Sequence, residues 1–191
     1  MNSALFLVLA IALVAPQAFA QVPGLGRCPQ TTAVRNFNVA AYLGRWFEVR
    51  SYPAIFQLGA SCTEANYALF QNGSVSVINK AVRLGRPFII EGNAVLAEPG
   101  VGKLIVNFPS TGGPQNNTPN YIVLGTDYLN YAVVHSCSQV TRFTTLSFSW
   151  VLSRRRTLGF FSAIRVANVL AANNISLSPF RDTAQTNCPN L

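Results

Sequence analysis

Few side chains in this sequence are suited to chemistry. The 191-residue chain contains one histidine, His135, and four cysteines, Cys28, Cys62, Cys137 and Cys188. A Ser–His–Asp or Cys–His catalytic arrangement would have to use His135, which lies in a predicted strand close to Cys137. No two cysteines have the Cys-x-x-Cys spacing of a zinc site. We therefore interpret His135 as a structural residue, and we expect neither an enzyme nor a metal centre.

The first twenty residues, MNSALFLVLAIALVAPQAFA, have the pattern of a secretory signal peptide. An apolar run from Ala4 to Ala15 precedes Ala18-Phe19-Ala20, which fits a small-x-small cleavage pattern before Gln21. The alternative is a membrane anchor, but the run is shorter than the roughly 20 apolar residues that a spanning helix needs. We expect a secreted, extracellular protein in which residues 21–191 form a single domain.

The number of cysteines and the presence of Asn-x-Ser/Thr sequons are typical of a secreted protein. An even number of cysteines in a secreted chain indicates two disulfides, and from the spacing alone three pairings are open. Three Asn-x-Ser/Thr sequons begin at Asn72, Asn116 and Asn174. Each sequon is a candidate glycosylation site on a surface loop.

The chain is basic, with a formal net charge of +8. The charges are dispersed, and Arg154-Arg155-Arg156 is their only run. Because no nucleic-acid-binding motif accompanies that run, we interpret the charge as a solvated surface and expect no nucleic-acid partner. The charge still favours acidic ligands or lipid head groups.

Eight short segments with the alternation of β-strands follow one another, separated by Gly, Pro and Asn. They span residues 45–52, 63–70, 74–82, 88–96, 103–108, 121–126, 131–138 and 144–153. Residues 157–172 then show helical spacing of Phe160, Ile164, Ala167 and Leu170 before Asn173-Asn174. One helix cannot cover both faces of an open sheet. We therefore expect an all-β fold, an eight-stranded antiparallel up-and-down β-barrel with one C-terminal α-helix packed outside and room for one small ligand.

Three segments match the pattern of a known family. They are Gly44-x-Trp46 at the start of the first strand, Thr126-Asp127-Tyr128 in the turn after the sixth, and Arg154 at the end of the eighth. In this order and at these positions they resemble the lipocalins. Segments 36–48, 65–67, 126–132, 150–154 and 187–189 are most similar to the apolipoprotein D subgroup, which includes the bilin-binding proteins and Lazarillo.

The resemblance implies particular structural roles. Gly44 would let the chain turn into the barrel, Trp46 would fill the closed end, and Arg154 would lie across the Trp46 ring in a cation–π contact. Without the resemblance, we would interpret Trp46 as an ordinary core residue and the arginine run as part of a solvated surface. The resemblance also implies the disulfides Cys28–Cys137 and Cys62–Cys188.

Strand parity selects candidate ligand-binding positions, because interior and exterior residues alternate along barrel strands. These positions are Tyr67, Leu69, Val77, Asn79, Ile89, Val106, Phe108, Phe148 and Trp150. The resemblance points Asn79 into the pocket as a polar hook for a carbonyl, carboxylate or hydroxyl group. The parity of Ile89 also turns Glu91 inward. For the aliphatic positions, simple packing of the barrel interior is the alternative.

The resemblance implies a carrier of a small hydrophobic ligand: a lipid, fatty acid, sterol, retinoid, carotenoid or pigment. No obligatory cofactor is expected, although a bound chromophore such as biliverdin is a candidate ligand. One alternative is a lipocalin-type enzyme, which would need a free cysteine inside the barrel. Another is a decoy that sequesters a signalling amine, for which Glu91 would be an inward carboxylate.

The segment 53–59 is expected at the open rim of the barrel. Its apolar residues Ile55, Phe56 and Leu58 would cover the ligand, contact a lipid surface or lipoprotein, or fold back into the rim. We expect a monomer or a weak homodimer.

Overall fold

The computed structural model describes residues 22–111 and 117–191. Its elements in chain order are β1 (Val22–Leu25), α1 (Val39–Tyr42), β2 (Gly44–Ser51), β3 (Ala60–Leu69), β4 (Val75–Arg83), β5 (Arg86–Leu96), β6 (Lys103–Asn107), β7 (Tyr121–Thr126), β8 (Tyr131–Thr141), β9 (Thr144–Ser153), α2 (Phe160–Ala172) and β10 (Arg181–Asp182).

Strands β2 to β9 form the barrel. Each is antiparallel to the next, and β9 pairs back onto β2, with Phe47 opposite Ser153, so that the sheet closes. The predicted fold class is confirmed, with α2 outside the barrel. Strands β1 and β10 were not predicted because segments this short show no useful alternation: β1 pairs with β9 and β10 pairs with the end of β2.

Side-chain alternation divides the core into two apolar clusters. Inside the barrel, Trp46, Val77 and Val134 belong to one buried cluster. On the outer wall, Val133 and Val151 belong to a second cluster that also contains residues of α2. Neighbouring residues such as Val133 and Val134 therefore face opposite layers, as the two-residue period of a strand requires.

Helix α2 begins three residues later than predicted, and only part of the predicted apolar pattern packs against the barrel. Gly159, at the N-cap, has extended backbone with φ −68° and ψ 153°, and residues 154–158 are bends and irregular chain instead of a first helical turn. The residues buried against the barrel are Val166 and Leu170, whereas Phe160 and Ile164 of the predicted apolar pattern face solvent. The helix ends at Asn173, as predicted.

The two ends of the barrel differ. The N-terminal segment crosses one end, where Phe37 and Tyr42 join the inner cluster; we call this the closed end. The opposite end, the mouth, carries the turns after β2, β4 and β8, because antiparallel strands place alternate connections at the same end. The segment 53–59 lies at the mouth, and its Ile55, Phe56 and Leu58 are exposed.

Two disulfides fasten the terminal segments to the barrel. Cys28 is bonded to Cys137, and Cys62 is bonded to Cys188. This is the pairing that the family resemblance implied. The chain has four cysteines, and the two disulfides use all of them, so no free thiol remains.

Candidate ligand-binding site

The closed end is plugged by Trp46, whose side chain is fully buried, with 0% of its surface exposed. The Arg154 guanidinium carbon lies 3.7 Å from the centroid of the Trp46 ring, and the indole N–H donates to the Tyr42 carbonyl at 2.8 Å. Gly44 has a φ of +87°, which other residues rarely adopt, and a Cβ there would lie 3.4 Å from Arg154 Nη1. The glycine thus makes the bend and leaves room for the arginine.

Arg154 also joins three segments of backbone at the closed end. Its Nε donates to the Tyr128 carbonyl at 3.0 Å, Nη1 to the Arg45 carbonyl at 2.9 Å and Nη2 to the Ala41 carbonyl at 3.0 Å. These are charge-assisted hydrogen bonds, stronger than those between neutral groups. The side chain therefore fixes the first barrel strand, the turn after β7 and the N-terminal segment relative to one another.

The Thr126-Asp127-Tyr128 turn presents the Tyr128 carbonyl to Arg154. The Asp127 carboxylate accepts hydrogen bonds from the backbone amides of Asn130 at 2.8 Å and Tyr131 at 3.1 Å. Partial burial acts to raise the pKa of Asp127, but these hydrogen bonds and that of the Asn130 side chain hold it below its ordinary value. The ionised carboxylate thus stabilises a turn in which Tyr128 has a φ of 63°.

Three tyrosine hydroxyls meet above this plug. The hydroxyl of Tyr121 lies 2.9 Å from that of Tyr42 and 2.8 Å from that of Tyr67. We call these residues the tyrosine cluster. Burial raises the pKa of Tyr67 to about 12, and burial also raises the pKa values of Tyr42 and Tyr121. All three hydroxyls therefore stay protonated near neutral pH and keep their donor hydrogens.

Aromatic side chains line the interior nearer the mouth. The rings of Phe148 and Trp150 stack with their centroids 5.9 Å apart, and Phe56 of the rim lies 5.5 Å from Phe148. The Trp150 indole N–H donates to Gln57 Oε1 at 3.3 Å. The rim segment is thereby linked to the wall of the interior by both a ring contact and a hydrogen bond.

A buried carboxyl group completes this link. Gln57 Nε2 donates to Glu48 Oε2 at 2.6 Å, and the Thr183 hydroxyl donates to Glu48 Oε1 at 2.6 Å. Burial raises the pKa of Glu48 above its ordinary value, against the lowering effect of these hydrogen bonds. Glu48 therefore connects the rim to the C-terminal segment, and both of its oxygens are already occupied.

Most of the predicted ligand-binding residues lie on the inner face. Val77 and Tyr67 are in the buried inner cluster, and Val106, Phe108 and Trp150 pack against it. Phe148 shares the parity of Trp150, and Asn79 shares that of Val77 and is partly buried. Their placement brings together Tyr67, Val77, Asn79, Val106, Phe108, Phe148 and Trp150.

Two of the predicted positions are wrong. Ile89 pairs with Lys80 in register, lies on the outer face and is 52% exposed; Glu91 shares this parity and is also exposed. Leu69 has the parity of Tyr67, but it lies at the closed-end turn of the β3–β4 hairpin and is 56% exposed. The β5 error arises because Phe88-Ile89-Ile90 is apolar throughout and so does not reveal its phase.

Sequence reasoning missed four residues of this interior: Tyr42, Tyr121, Glu48 and Gln57. The parity rule, applied to the sixth predicted strand, would have selected Tyr121 together with the buried Val123. Tyr42 lies outside the strands, and the contacts of Gln57 and Glu48 depend on chain segments distant in sequence. No local signal identifies those three residues.

His135 is buried on the outer wall, facing away from the tyrosine cluster. It has the parity of Val133, which is in the outer cluster, and its Nδ1 lies 2.8 Å from the Ser149 hydroxyl. Burial lowers the pKa of His135 to about 4, so the ring is neutral near pH 7. The ring therefore lies outside the barrel interior.

The described sequons lie at the surface. Asn72 and Asn174 are exposed, and the Asn72 side-chain carbonyl accepts from the Ser74 hydroxyl of its own sequon at 2.7 Å. The third sequon residue, Asn116, lies outside the described residues, as does the predicted signal peptide.

Within residues 22–111 and 117–191, no group of three His, Cys, Asp or Glu side chains is placed to bind a metal ion. No helix in that part of the chain combines the length and apolar character needed to cross a membrane.

A closed barrel with a plugged end and an aromatic inner wall is typical of the small β-barrel proteins that enclose a ligand. A family model for a lipocalin-like domain matches residues 37–185. The chain belongs to the lipocalin family, whose members carry small hydrophobic ligands.

Individual relatives agree with this assignment. Apolipoprotein D from Oryctolagus cuniculus is 39% identical over 189 residues, which cover 97% of this chain and 96% of the relative. Bilin-binding protein from Pieris brassicae is 32% identical over 170 residues, covering 88% of each chain. The structure of insecticyanin from the tobacco hornworm Manduca sexta matches with a TM-score of 0.74 at 24% identity, over 87% of this chain and 90% of that one. The predicted resemblance is confirmed.

Proposed function

We propose that this protein is a secreted carrier that encloses one small, largely apolar ligand and directs a neutral polar end of that ligand toward the tyrosine cluster. The observation that carries the proposal is the cluster itself, in which the hydroxyls of Tyr42, Tyr67 and Tyr121 meet beside the apolar inner cluster. Apolar walls with a few placed polar groups are the usual composition of a small-molecule site.

The tyrosine cluster has hydrogen-bonding capacity to spare. Three hydroxyls carry three hydrogens, and the two contacts to Tyr121 use two of them. One hydrogen and several lone pairs remain for a ligand. Because an unsatisfied buried donor is costly, we infer that the ligand presents a carbonyl or hydroxyl oxygen here.

The charge of the surroundings favours a neutral ligand end. At the closed end Arg154 already donates to three backbone carbonyls and covers Trp46, so it does not offer its charge to the interior. Arginines at the mouth, Arg83 and Arg142, lie against the rim aromatics Phe88 and Phe143. A ligand that bears a carboxylate would therefore place it at the mouth and its apolar end inward.

We assign ligand contact to the inner-face residues nearer the mouth. Trp150 and Phe148 supply a stacked aromatic wall, Val106 and Phe108 supply apolar surface, and Asn79 is a polar hook beside Val77. Tyr67 contacts the ligand from the tyrosine cluster.

Retinoids test the proposal because retinol, retinal and retinoic acid share one hydrocarbon body and differ at one end. Binding would be followed by quenching of tryptophan fluorescence in the wild type and in the Tyr121→Phe variant. We expect retinol and retinal to bind more tightly than retinoic acid. Tyr121→Phe should weaken the two neutral ligands by about 1 kcal/mol, the usual value of one hydrogen bond.

Tyr131→Phe is the matched control, because Tyr131 is a buried tyrosine of the outer cluster. It should leave the affinity for all three retinoids unchanged. Equal affinity of Tyr121→Phe and wild type for retinal, or a preference for retinoic acid, would exclude the proposed orientation. Failure of every retinoid, of a fatty acid, of a sterol and of biliverdin to bind would exclude the carrier function itself.

The ligand class can be narrowed directly. The candidates are a linear tetrapyrrole such as biliverdin, a carotenoid or retinoid, a fatty acid and a sterol. A visible absorption band in protein purified from its source would identify a pigment. Mass spectrometry of a lipid extract would identify a colourless ligand.

Carrier function is favoured over the two alternatives. All four cysteines are in disulfides, which leaves no thiol nucleophile for a lipocalin-type enzyme. A decoy for a signalling amine would need an inward carboxylate. Glu91 is exposed on the outer face, and both oxygens of Glu48 are already bonded to neutral groups.

We further propose that the mouth contacts a lipid surface or lipoprotein through Ile55, Phe56 and Leu58. These residues are exposed, and Leu84 and Phe143 of neighbouring turns add exposed apolar surface at the same end. A ligand would then pass between lipid and barrel without crossing water. Transfer of a fluorescent fatty acid from vesicles should slow severalfold in a Phe56→Ser, Leu58→Ser variant, and an unchanged rate would exclude this role.

Secretion and processing belong to the same proposal. Residues 1–20 would be removed as a signal peptide, residues 21–191 would form the mature single domain, and Asn72, Asn116 and Asn174 would be glycosylated. The mature protein would be a monomer or a weak homodimer. N-terminal sequencing of the secreted protein, with and without glycosidase, tests these statements, and an intact Met1 would contradict the first.

A further inference from the structure

Helix α2 has a second apolar face that the barrel does not cover. Phe160 and Phe161 are 76% and 77% exposed, and Ile164 is 46% exposed, although the helix already buries Val166 and Leu170. The two phenylalanine rings contact each other, with centroids 5.6 Å apart. Large apolar side chains exposed together, rather than singly, indicate an interaction surface.

The turn after β7 extends this surface at the closed end. Leu129 is 77% exposed, and its amide donates to the Asp127 carboxylate. That carboxylate lies 3.6 Å from Arg165 of α2, which joins the turn to the helix. We call the exposed residues Leu129, Phe160, Phe161 and Ile164 the closed-end patch. It lies at the opposite end of the barrel from the mouth.

The surroundings of the closed-end patch are positively charged. Arg155 and Arg165 are exposed beside it, and Arg156 follows in the same run while donating to Gln185. The acidic group joined to this region is Asp127, which is shared between Arg165 and the amides of its own turn. The first turn of α2 has no acidic residue, so the positive end of the helix dipole is not neutralised there.

This combination selects one kind of partner. A second copy of the chain would bring the same arginines to the interface, and like charges brought together oppose association. An uncharged apolar partner would gain nothing from the arginines. Helices that lie in the head-group region of an anionic bilayer typically expose Phe and Leu side chains flanked by Arg.

We propose that the closed-end patch docks on anionic phospholipid surfaces, with Phe160 and Phe161 inserted among the head groups and Arg155 and Arg165 at the phosphates. This does not depend on the proposed carrier function. A protein held in this way would point its mouth away from the membrane that anchors it.

Vesicle flotation tests the proposal with the full mature protein. The vesicles would be pure phosphatidylcholine, or phosphatidylcholine with about 30% phosphatidylserine, an anionic lipid of the kind that attracts basic segments. We expect wild type to bind the mixed vesicles at low salt, and to bind them at least about tenfold more tightly than the neutral ones. Phe160→Ser with Phe161→Ser, and separately Arg155→Glu, should each weaken binding to the mixed vesicles by about tenfold or more.

Two controls test whether vesicle binding depends on the closed-end patch in particular. An Ile89→Ser variant, altered at an exposed apolar residue on the outer face of β5, should retain most of the binding to mixed vesicles. Near-ultraviolet circular dichroism would show that each variant is folded.

Several outcomes would overturn the proposal. They are equal binding to both kinds of vesicle, wild-type binding by the Phe160, Phe161 variant, or a loss of binding in the Ile89→Ser variant as large as that in the Phe160, Phe161 variant. Concentration-dependent dimerisation that disappears in the Phe160, Phe161 variant, without a change in vesicle binding, would assign the patch to a second copy and would also refute the lipid assignment.

Discussion

Replacing the partly buried Arg154 by alanine should destabilise the closed end more than replacing any of the exposed arginines. The substitution removes three hydrogen bonds of 2.9 to 3.0 Å to backbone carbonyls and the contact 3.7 Å from the Trp46 ring. A hydrogen bond to a charged group contributes about 1.5–3 kcal/mol, and a desolvated cation–π contact contributes about 1–2 kcal/mol.

These contributions are not additive, because the Ala41, Arg45 and Tyr128 carbonyls are in part reached by water once the side chain is gone. We therefore expect the free energy of unfolding to fall by about 3–4 kcal/mol, near the upper end for point substitutions. Arg154→Lys keeps the charge but cannot form the planar, three-way contact. The free energy of unfolding of the Arg154→Lys variant should therefore fall by about 2 kcal/mol.

Urea unfolding, with both disulfides intact, measures the effect as a shift of the transition midpoint at constant slope. Arg155→Ala is the matched control, since Arg155 is the next residue, is exposed and should change stability by no more than about 0.5 kcal/mol. A loss below about 1 kcal/mol for Arg154→Ala, or equal losses for both variants, would refute the assigned role of Arg154.

Three further predictions concern other parts of the molecule. Burial lowers the pKa of His135 from 6.5 to about 4, so on acidification a proton binds this histidine in the unfolded chain before it binds in the folded protein. Between about pH 7 and about pH 4.5, the free energy of unfolding should therefore fall by about 2 kcal/mol more in wild type than in His135→Gln. Urea unfolding at each pH measures this difference. Trp150→Ala should weaken an apolar ligand by about 1–3 kcal/mol in a titration, and unchanged affinity in a folded variant would remove Trp150 from the pocket. Replacing Cys62 and Cys188 by serine should lower stability by about 2–4 kcal/mol, and no change in the melting temperature would contradict this.

Local pattern was sufficient for the barrel strands, and the family resemblance supplied the plug. The alternation of Val75 and Val77 with serines placed β4 correctly, and the strand ends were marked by residues such as Gly73, whose φ is +83°. Gly44, Trp46 and Arg154 have the contacts that the family resemblance implied. These features were predictable because each depends on residue type at a fixed spacing.

The interior was predicted less completely than the strands. Seven of the nine candidate ligand-binding residues lie on the inner face, and Ile89 and Leu69 do not line the interior. A strand with apolar residues on successive positions has no visible phase, and a shift of one residue reverses every side chain. Likewise, periodicity predicted α2 but could not identify which of its two apolar faces packs against the barrel.

The sequence by itself determined the number of barrel strands, their approximate limits and the signals at the turns, because these are properties of short segments, and its resemblance to the lipocalins identified the plug. Only the tertiary structure decided the phase of β5, the packed face of α2 and the meeting of Tyr42, Tyr67 and Tyr121. Those three tyrosines come from the N-terminal segment, the second barrel strand and the sixth. They share hydrogen bonds only because the pairing of β9 with β2 closes the sheet, and closure is a long-range event that no local pattern encodes.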